Sequence, residues 1–187
     1  KLLLSKVKSK YRIKDKIIFV ENCEINAPNL QVNLQGNIDA AKNLNFNIVA
    51  NNIDLARLNL NLPYPVSGIA KFNGAVTGTV GNPHFIGKIE APELVFNEQK
   101  INNVNGDFEF VNQIIKVKNF GFAQGSGQYD FTANINLNNN KINGAVAVKN
   151  AKLNPLLAMF NLKQDWLDGD LNGQITIGGF TDNPQVW

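Results

Sequence analysis

Apolar and polar residues alternate one by one through most of this chain, and this period of two constrains the fold more than any other feature. Leu30, Val32, Leu34, Ile38 and Ala40 fall on one side of a strand, with Gln31, Asn33, Gln35, Asn37 and Asp39 on the other. The pattern returns at Leu44, Phe46, Ile48 and Ala50, then at Val66, Ala70, Phe72, Val76 and Val80, where Gly68, Gly74 and Gly78 share the apolar phase. It continues through Val104, Phe108 and Phe110, through Tyr129, Phe131, Ala133, Ile135 and Leu137, and through Ile142, Val146 and Val148. Leu167, Leu171, Ile175 and Ile177 close the series. Each such strand has one apolar and one wet face, which excludes a parallel sheet covered on both sides. Short Gly-, Asn- or Pro-containing breaks predict antiparallel neighbours in an extended meander. The fold class expected is mostly β, an extended curved and largely antiparallel sheet, with glycines on the apolar face as its points of bending.

A second constraint is repetition. SGIAKFNGAVTGTVGNPHF at Ser67 to Phe85 returns without a gap as DGDLNGQITIGGFTDNPQV at Asp168 to Val186. Gly68 corresponds to Gly169, Gly78 to Gly179, Asn82 to Asn183 and Pro83 to Pro184. Self-similarity at a fixed offset points to a stacked architecture, one repeat-built segment over residues 1–187. Trp187 falls early in the strand expected after Asn183-Pro184, which reads as a piece of a longer protein. Ahead of the second copy, Leu153, Leu156, Leu157 and Phe160 have helical spacing, with Asn154 placed as N-cap and Pro155 at the first helical position. One short helix is expected at Leu153 to Leu162, covering one end of the sheet, with Asp54 to Leu62 as its weaker counterpart one repeat earlier.

Composition sets few limits. With 44% apolar and 18% charged residues the chain is that of a folded protein. The charge excess of +3 owes much to Lys1, Lys6, Lys8, Lys10, Arg12, Lys14 and Lys16, read as a solvated first strand or linker. Cys23 is the only cysteine, so no internal disulfide forms and no thiol pair offers a zinc site. Asparagine is abundant even inside strands, where it is a poor former. Codon bias in the encoding genome is the simplest account of that excess.

Candidate chemistry is sparse. His84, the only histidine, follows Asn82-Pro83 at an expected turn and becomes Gln185 in the second copy, which argues against a catalytic imidazole. Asp107, Glu109 and Asp130 lie on wet strand faces, and no spacing singles out a catalytic pair. GFAQGSGQY at Gly121 to Tyr129 lacks the Lys-Ser/Thr and the following helix of a phosphate loop, and reads as a turn with a strand entry. Phe108, Phe110, Phe120, Phe122, Tyr129 and Phe131 resemble a base-stacking platform, but they share the apolar phase and few cations flank them. The reading is of a protein without enzymatic chemistry, cofactor, metal or nucleic-acid partner. That leaves the apolar face. A sheet that curls without closing would present it as a trough for acyl chains, each buried methylene being worth about 0.8 kcal/mol, and an isolated piece would be prone to self-association.

The order of Gly-bent alternation and Asn-Pro turn in TGTVGNPHFIGKIEA and IGGFTDNPQV resembles the C-terminal repeat region of the TamB and AsmA-like family. NIDLARLN at Asn52 to Asn59 and NAKLNPLL at Asn150 to Leu157 resemble that family's linker into the Gly-rich strand. The resemblance covers roughly residues 30–187. It implies a β-taco with an open hydrophobic groove, in a protein anchored in the inner membrane and crossing the periplasm. Such proteins are phospholipid conduits to the outer membrane that work with an outer-membrane barrel partner. On this reading Val32, Leu34, Phe46, Ile48, Phe72, Val76, Phe108, Phe110, Phe131, Ile135, Val146, Val148, Leu171 and Ile175 line the groove and bind lipid. Two other functions are compatible with the pattern: a chaperone-like scaffold for outer-membrane β-barrel or autotransporter assembly, and an extracellular β-rich adhesin segment.

Overall fold

A computed structural model describes residues 5–28, 30–58, 64–159, 161, 166, 168–181 and 183–187. The chain is mostly β, as its alternation predicts. Strands β1 (Lys6–Lys14), β2 (Ile17–Ala27), β3 (Leu30–Ile38), β4 (Leu44–Asp54), β5 (Val66–Thr79) and β6 (Asn82–Phe96) are followed by β7 (Gln99–Val111), β8 (Ile114–Gln124), β9 (Gly127–Asn136), β10 (Lys141–Lys152), β11 (Asp170–Phe180) and β12 (Asn183–Val186). They form one twelve-stranded antiparallel sheet in sequence order, an open and curved meander. Among the described residues a single 3-10 turn, Leu55–Arg57, precedes β5, and one short helix, α1 (Leu153–Met159), precedes β11.

Three hairpins turn on two residues that both have positive φ, Asp15-Lys16, Asn97-Glu98 and Asn112-Gln113. This is the turn whose twist matches that of the flanking strands. Gly125 alone, with φ 57°, takes the left-handed position in the two-residue turn between β8 and β9, so GFAQGSGQY is a turn with strand on both sides. Lys6 to Lys14 of the basic run form β1, exposed along its whole length. Lys10 and Arg12 both reach Glu21 of β2, at 2.8 and 3.2 Å. Charge along an edge strand opposes edge-to-edge association.

The strands do not keep one phase from end to end. Six of them slip by one residue at an apolar–x–x–apolar step: Val20 to Cys23, Ala50 to Ile53, Ala91 to Leu94, Ile101 to Val104, Val117 to Phe120 and Val148 to Ala151. At four of these steps the residue before the second apolar position is an asparagine with left-handed φ: Asn52 (55°), Asn103 (54°), Asn119 (48°) and Asn150 (52°). The ladder shifts register at the same places. These are β-bulges, and each returns the apolar residues beyond it to the face they would otherwise leave. Mid-strand asparagine therefore has a backbone reason, which displaces codon bias as the account of these four: asparagine enters the left-handed region more cheaply than other chiral residues.

Of the glycines on the apolar face, Gly68, with φ 124°, and Gly106 sit where the ladder shifts register, whereas Gly74 and Gly87 lie in unbroken ladder. Gly74 and Gly87 face each other across β5 and β6 with the Phe72 ring over both: an added methyl would lie 2.5 and 2.3 Å from it. Gly106 lies under Phe120 in the same way, at 2.3 Å. These glycines make room for flat rings, and the ladder is broken at the bulges.

Beyond the bulges, the apolar face is covered. Ala50, Ile53, Ala70, Ala91, Leu94, Ile101 and Val104 form the main core with Leu55 of the 3-10 turn and Met159 of α1. Ala70 and Ala151 are fully buried. The two helical segments thus cover one end of the sheet. Only Leu55–Arg57 of the expected Asp54 to Leu62 segment is helical among the described residues, and α1 ends at Met159, with Phe160 and Leu162 outside them. The start of α1 also differs from expectation. It begins at Leu153, whose amide donates to the Gly169 carbonyl at 2.9 Å, so Asn154 is inside the helix and its buried Oδ1 meets no donor among the described residues.

The sequence repeat is also a repeat of register. Gly78 pairs with Pro83 and Thr79 with Asn82, while Gly179 pairs with Pro184 and Phe180 with Asn183. Gly78 and Gly179 share a positive φ, 79° and 95°, which a side chain would strain. Ala40, Val80 and Leu137 depart from expectation: they lie in turns past the strand ends and are exposed, although the Val80 and Leu137 amides still donate to the Lys42 and Gln113 carbonyls, at 3.1 and 2.8 Å. Leu167 lies outside the described residues.

Candidate functional site

Ladder register turns the alternation into continuous rows on one face. The longest runs Ser9, Cys23, Leu34, Ile48, Gly74, Gly87, Phe108, Val117, Ala133, Gly144 and Ile177, one residue from each of β1 to β11. None is charged, and Ser9 alone has a polar side chain. The row beside it runs Tyr11, Val20, Gly36, Phe46, Val76, Phe85, Phe110, Ile115, Ile135 and Ile142. Strands about 4.8 Å apart make the eleven-strand row about 48 Å long.

All fourteen residues proposed for the groove lie on this face. Phe46, Val76, Phe110 and Ile135 belong to the second row, and Leu34, Ile48 and Phe108 to the first. Val32 and Phe72 lie one step nearer the bulges, as do Phe131, Val146 and Ile175, with Val148 and Leu171 beyond. They share a surface and do not converge on one point. Phe46, Val76 and Val148 are buried, and the others are half-buried. The sequence reading missed Val20, Cys23, Phe85, Ile115 and Val117, which complete the rows from strands β2, β6 and β8.

Aromatic rings pave the centre. Phe72 stacks on Phe108 at 5.4 Å, Phe85 meets Phe110 at 6.0 Å, and Phe122 stacks on Tyr129 at 4.6 Å. Such pairs add roughly 0.5–1.5 kcal/mol each beyond the area they bury. One polar chain crosses the covered end: Tyr129 Oη donates to Gln124 Oε1 at 3.4 Å, and Gln124 Nε2 to the Pro155 carbonyl at 3.3 Å. Burial raises the Tyr129 pKa, which keeps the phenol a donor. Asn97 Nδ2, from the β6–β7 turn, donates to the Met159 carbonyl at 2.8 Å and holds the other end of α1.

Titratable groups gather on the opposite face. His84 is not in a turn: it is the third residue of β6, opposite Thr77, with Nε2 3.2 Å from Glu109 Oε1. Lys118 Nζ lies 2.7 Å and Lys116 Nζ 3.5 Å from Glu109 Oε2. The Lys118 hydrogen bond chiefly holds the Glu109 pKa below its ordinary value, against a smaller opposing effect of burial. Asp107 accepts from Asn119 Nδ2 at 3.2 Å. Glu109 is thus a neutralised carboxylate, poorly suited to give up a proton as a general acid. Among the described residues no group of three or more His, Cys, Asp or Glu side chains is placed to hold a metal ion, and no helix is long and apolar enough to cross a membrane. No protein-family model, curated protein or solved structure matches this chain.

Proposed function

We propose that this chain is a segment of a lipid-carrying bridge, with acyl chains lying across the strands on the apolar rows. The observation that carries this reading is the uncharged row through eleven consecutive strands, flanked by a second of ten. A sixteen-carbon chain in water forgoes on the order of 12 kcal/mol relative to an apolar surface. A continuous row removes that barrier at every step along the sheet. Because β1 and β12 are not paired with each other, the sheet does not close over its apolar face. Resemblance to the TamB and AsmA-like family supplies the setting: phospholipid, a periplasmic location, an inner-membrane anchor and an outer-membrane barrel partner. The role is transport without bond chemistry.

Native mass spectrometry of protein purified from membrane-containing cells tests this. Bound phospholipid is expected, and Val117→Asp, which places a charge mid-row, should cut lipid occupancy at least about tenfold, the unpaired buried carboxylate costing more than 1.4 kcal/mol. Protein that stays free of lipid, or a Val117→Asp variant that binds it equally well, would overturn the proposal. Crosslinks from β1 or β12 to barrel proteins, with none to lipid, would favour the scaffold function.

A further inference from the structure

Acyl chains on the apolar rows leave the opposite, polar face unused, and across β9 to β12 that face carries two exposed aromatic rings. Trp187 exchanges two backbone hydrogen bonds with Thr176, at 2.8 and 3.1 Å, which sets its side chain on the polar side. The indole lies over Gly178, where an added methyl would fall 2.6 Å from the ring. Phe180 follows two residues along β11 on the same side, and the two residues are 67% and 47% exposed. With Thr132, Asn134, Asn143 and Thr176 they outline a shallow trough of about 670 Å³.

The chemistry of this trough is selective. Asn134 Nδ2 donates to Asn143 Oδ1 at 3.3 Å, leaving the Asn134 carbonyl oxygen and the Asn143 amide hydrogens without partners among the described residues. Among the described residues Lys141 is the one charged residue lining it. A nucleic-acid strand requires a cationic track beside its stacking rings. An acyl chain would strip water from amides and hydroxyls and return no hydrogen bonds. A sugar ring satisfies both demands: its C–H face packs on an aromatic ring, and its hydroxyls donate and accept at the rim. Strands about 4.8 Å apart, with same-side residues about 6.8 Å apart along each, form a regular grid suited to an extended, ribbon-like glycan.

We propose that this patch binds a neutral oligosaccharide, one sugar ring stacking on Trp187 while its hydroxyls bond to Asn134, Asn143 and Thr176. The chain has two tryptophans, so in a Trp166→Phe protein the indole fluorescence reports on Trp187 alone. Titration with chitohexaose or cellohexaose should shift that emission saturably. By calorimetry, Trp187→Ala should raise the Kd about tenfold or more, and Asn143→Ala about three- to tenfold. Asn143 is exposed, so its variant decides the matter should Trp187→Ala disturb the sheet. The proposal fails if neither sugar gives a saturable response, or if both variants bind like the parent. It also fails if an oligothymidylate binds more tightly than either sugar and is released by salt, the mark of a cation-driven site.

Discussion

Replacing the bulge asparagines with alanine isolates what their backbone conformation contributes. Asn52 and Asn103 have φ of 55° and 54°, and no side-chain hydrogen bond ties either to the described residues. Left-handed backbone costs an ordinary L-residue about 1–2 kcal/mol, less for asparagine, so each alanine should destabilise by about 1 kcal/mol. Glycine takes up the conformation freely but gains entropy when unfolded, so Asn→Gly should stay within about 0.5 kcal/mol of the parent. Strands β4 and β7 lie three strands apart, about 14 Å, so the double alanine variant should lose about 2 kcal/mol additively. With a urea slope of about 2.5 kcal/mol/M, each alanine lowers the unfolding midpoint by about 0.4 M. Asn119 is the internal control. Its Nδ2 donates to Asp107 at 3.2 Å, so Asn119→Gly should lose a further 0.5–1 kcal/mol, approximately, that Asn103→Gly does not. Equal midpoints for alanine and glycine at both Asn52 and Asn103 would refute the bulge argument.

Two further outcomes follow from the geometry. Gly87→Ala places a methyl 2.3 Å from the Phe72 ring and should cost about 1–3 kcal/mol by expelling it from Phe108; most of that should vanish in a Phe72→Ala background, as a double-mutant cycle in urea would show. Glu109 ionises more readily folded than unfolded, so its contribution is fully present above the ordinary carboxylate pKa of about 4.3 and is lost as pH falls through the lower folded value. The Tm advantage of the parent over Glu109→Gln should therefore narrow below about pH 4, and a constant difference down to pH 2 would refute the ion-pair account.

How far the fold was legible depended on where the period of two held. Alternation assigned the apolar face of β3, β4, β5, β9, β10 and β11, and every groove residue taken from those runs lies on it. The readable stretches of β4 and β10 stop at Ala50 and Val148, and that of β7 begins at Val104, each one side of a bulge step. Strands β2 and β8 went unread because the slip falls inside them, after Val20 and Val117, and leaves each half too short to stand out; in β6 a longer alternation through Phe85, Gly87, Ile89 and Ala91 was available and was missed. Apolar–x–Asn–apolar was the available signal, present at five of the six steps and obscured by the general abundance of asparagine. The face that forms the candidate site was thus readable from side-chain chemistry alone, whereas its continuity depends on register, which only paired strands define. Trp187 and Phe180 were hidden for a related reason: their neighbours Asn134 and Asn143 come from β9 and β10, beside them only once the meander is laid flat.

The repeated register also sets a rule for growth. From β5 to β11 the chain advances by six strands, an even number, so it returns with the same direction and the same face upward. The connections that hold Leu55–Arg57 and α1 therefore fall on the same rim, and Gly78 and Gly179 begin equivalent hairpins. An odd interval would have put successive caps on opposite rims. One period is a translation of about 29 Å along the sheet. Periods added in tandem would lengthen the molecule by whole units and keep the apolar face on one side of the sheet.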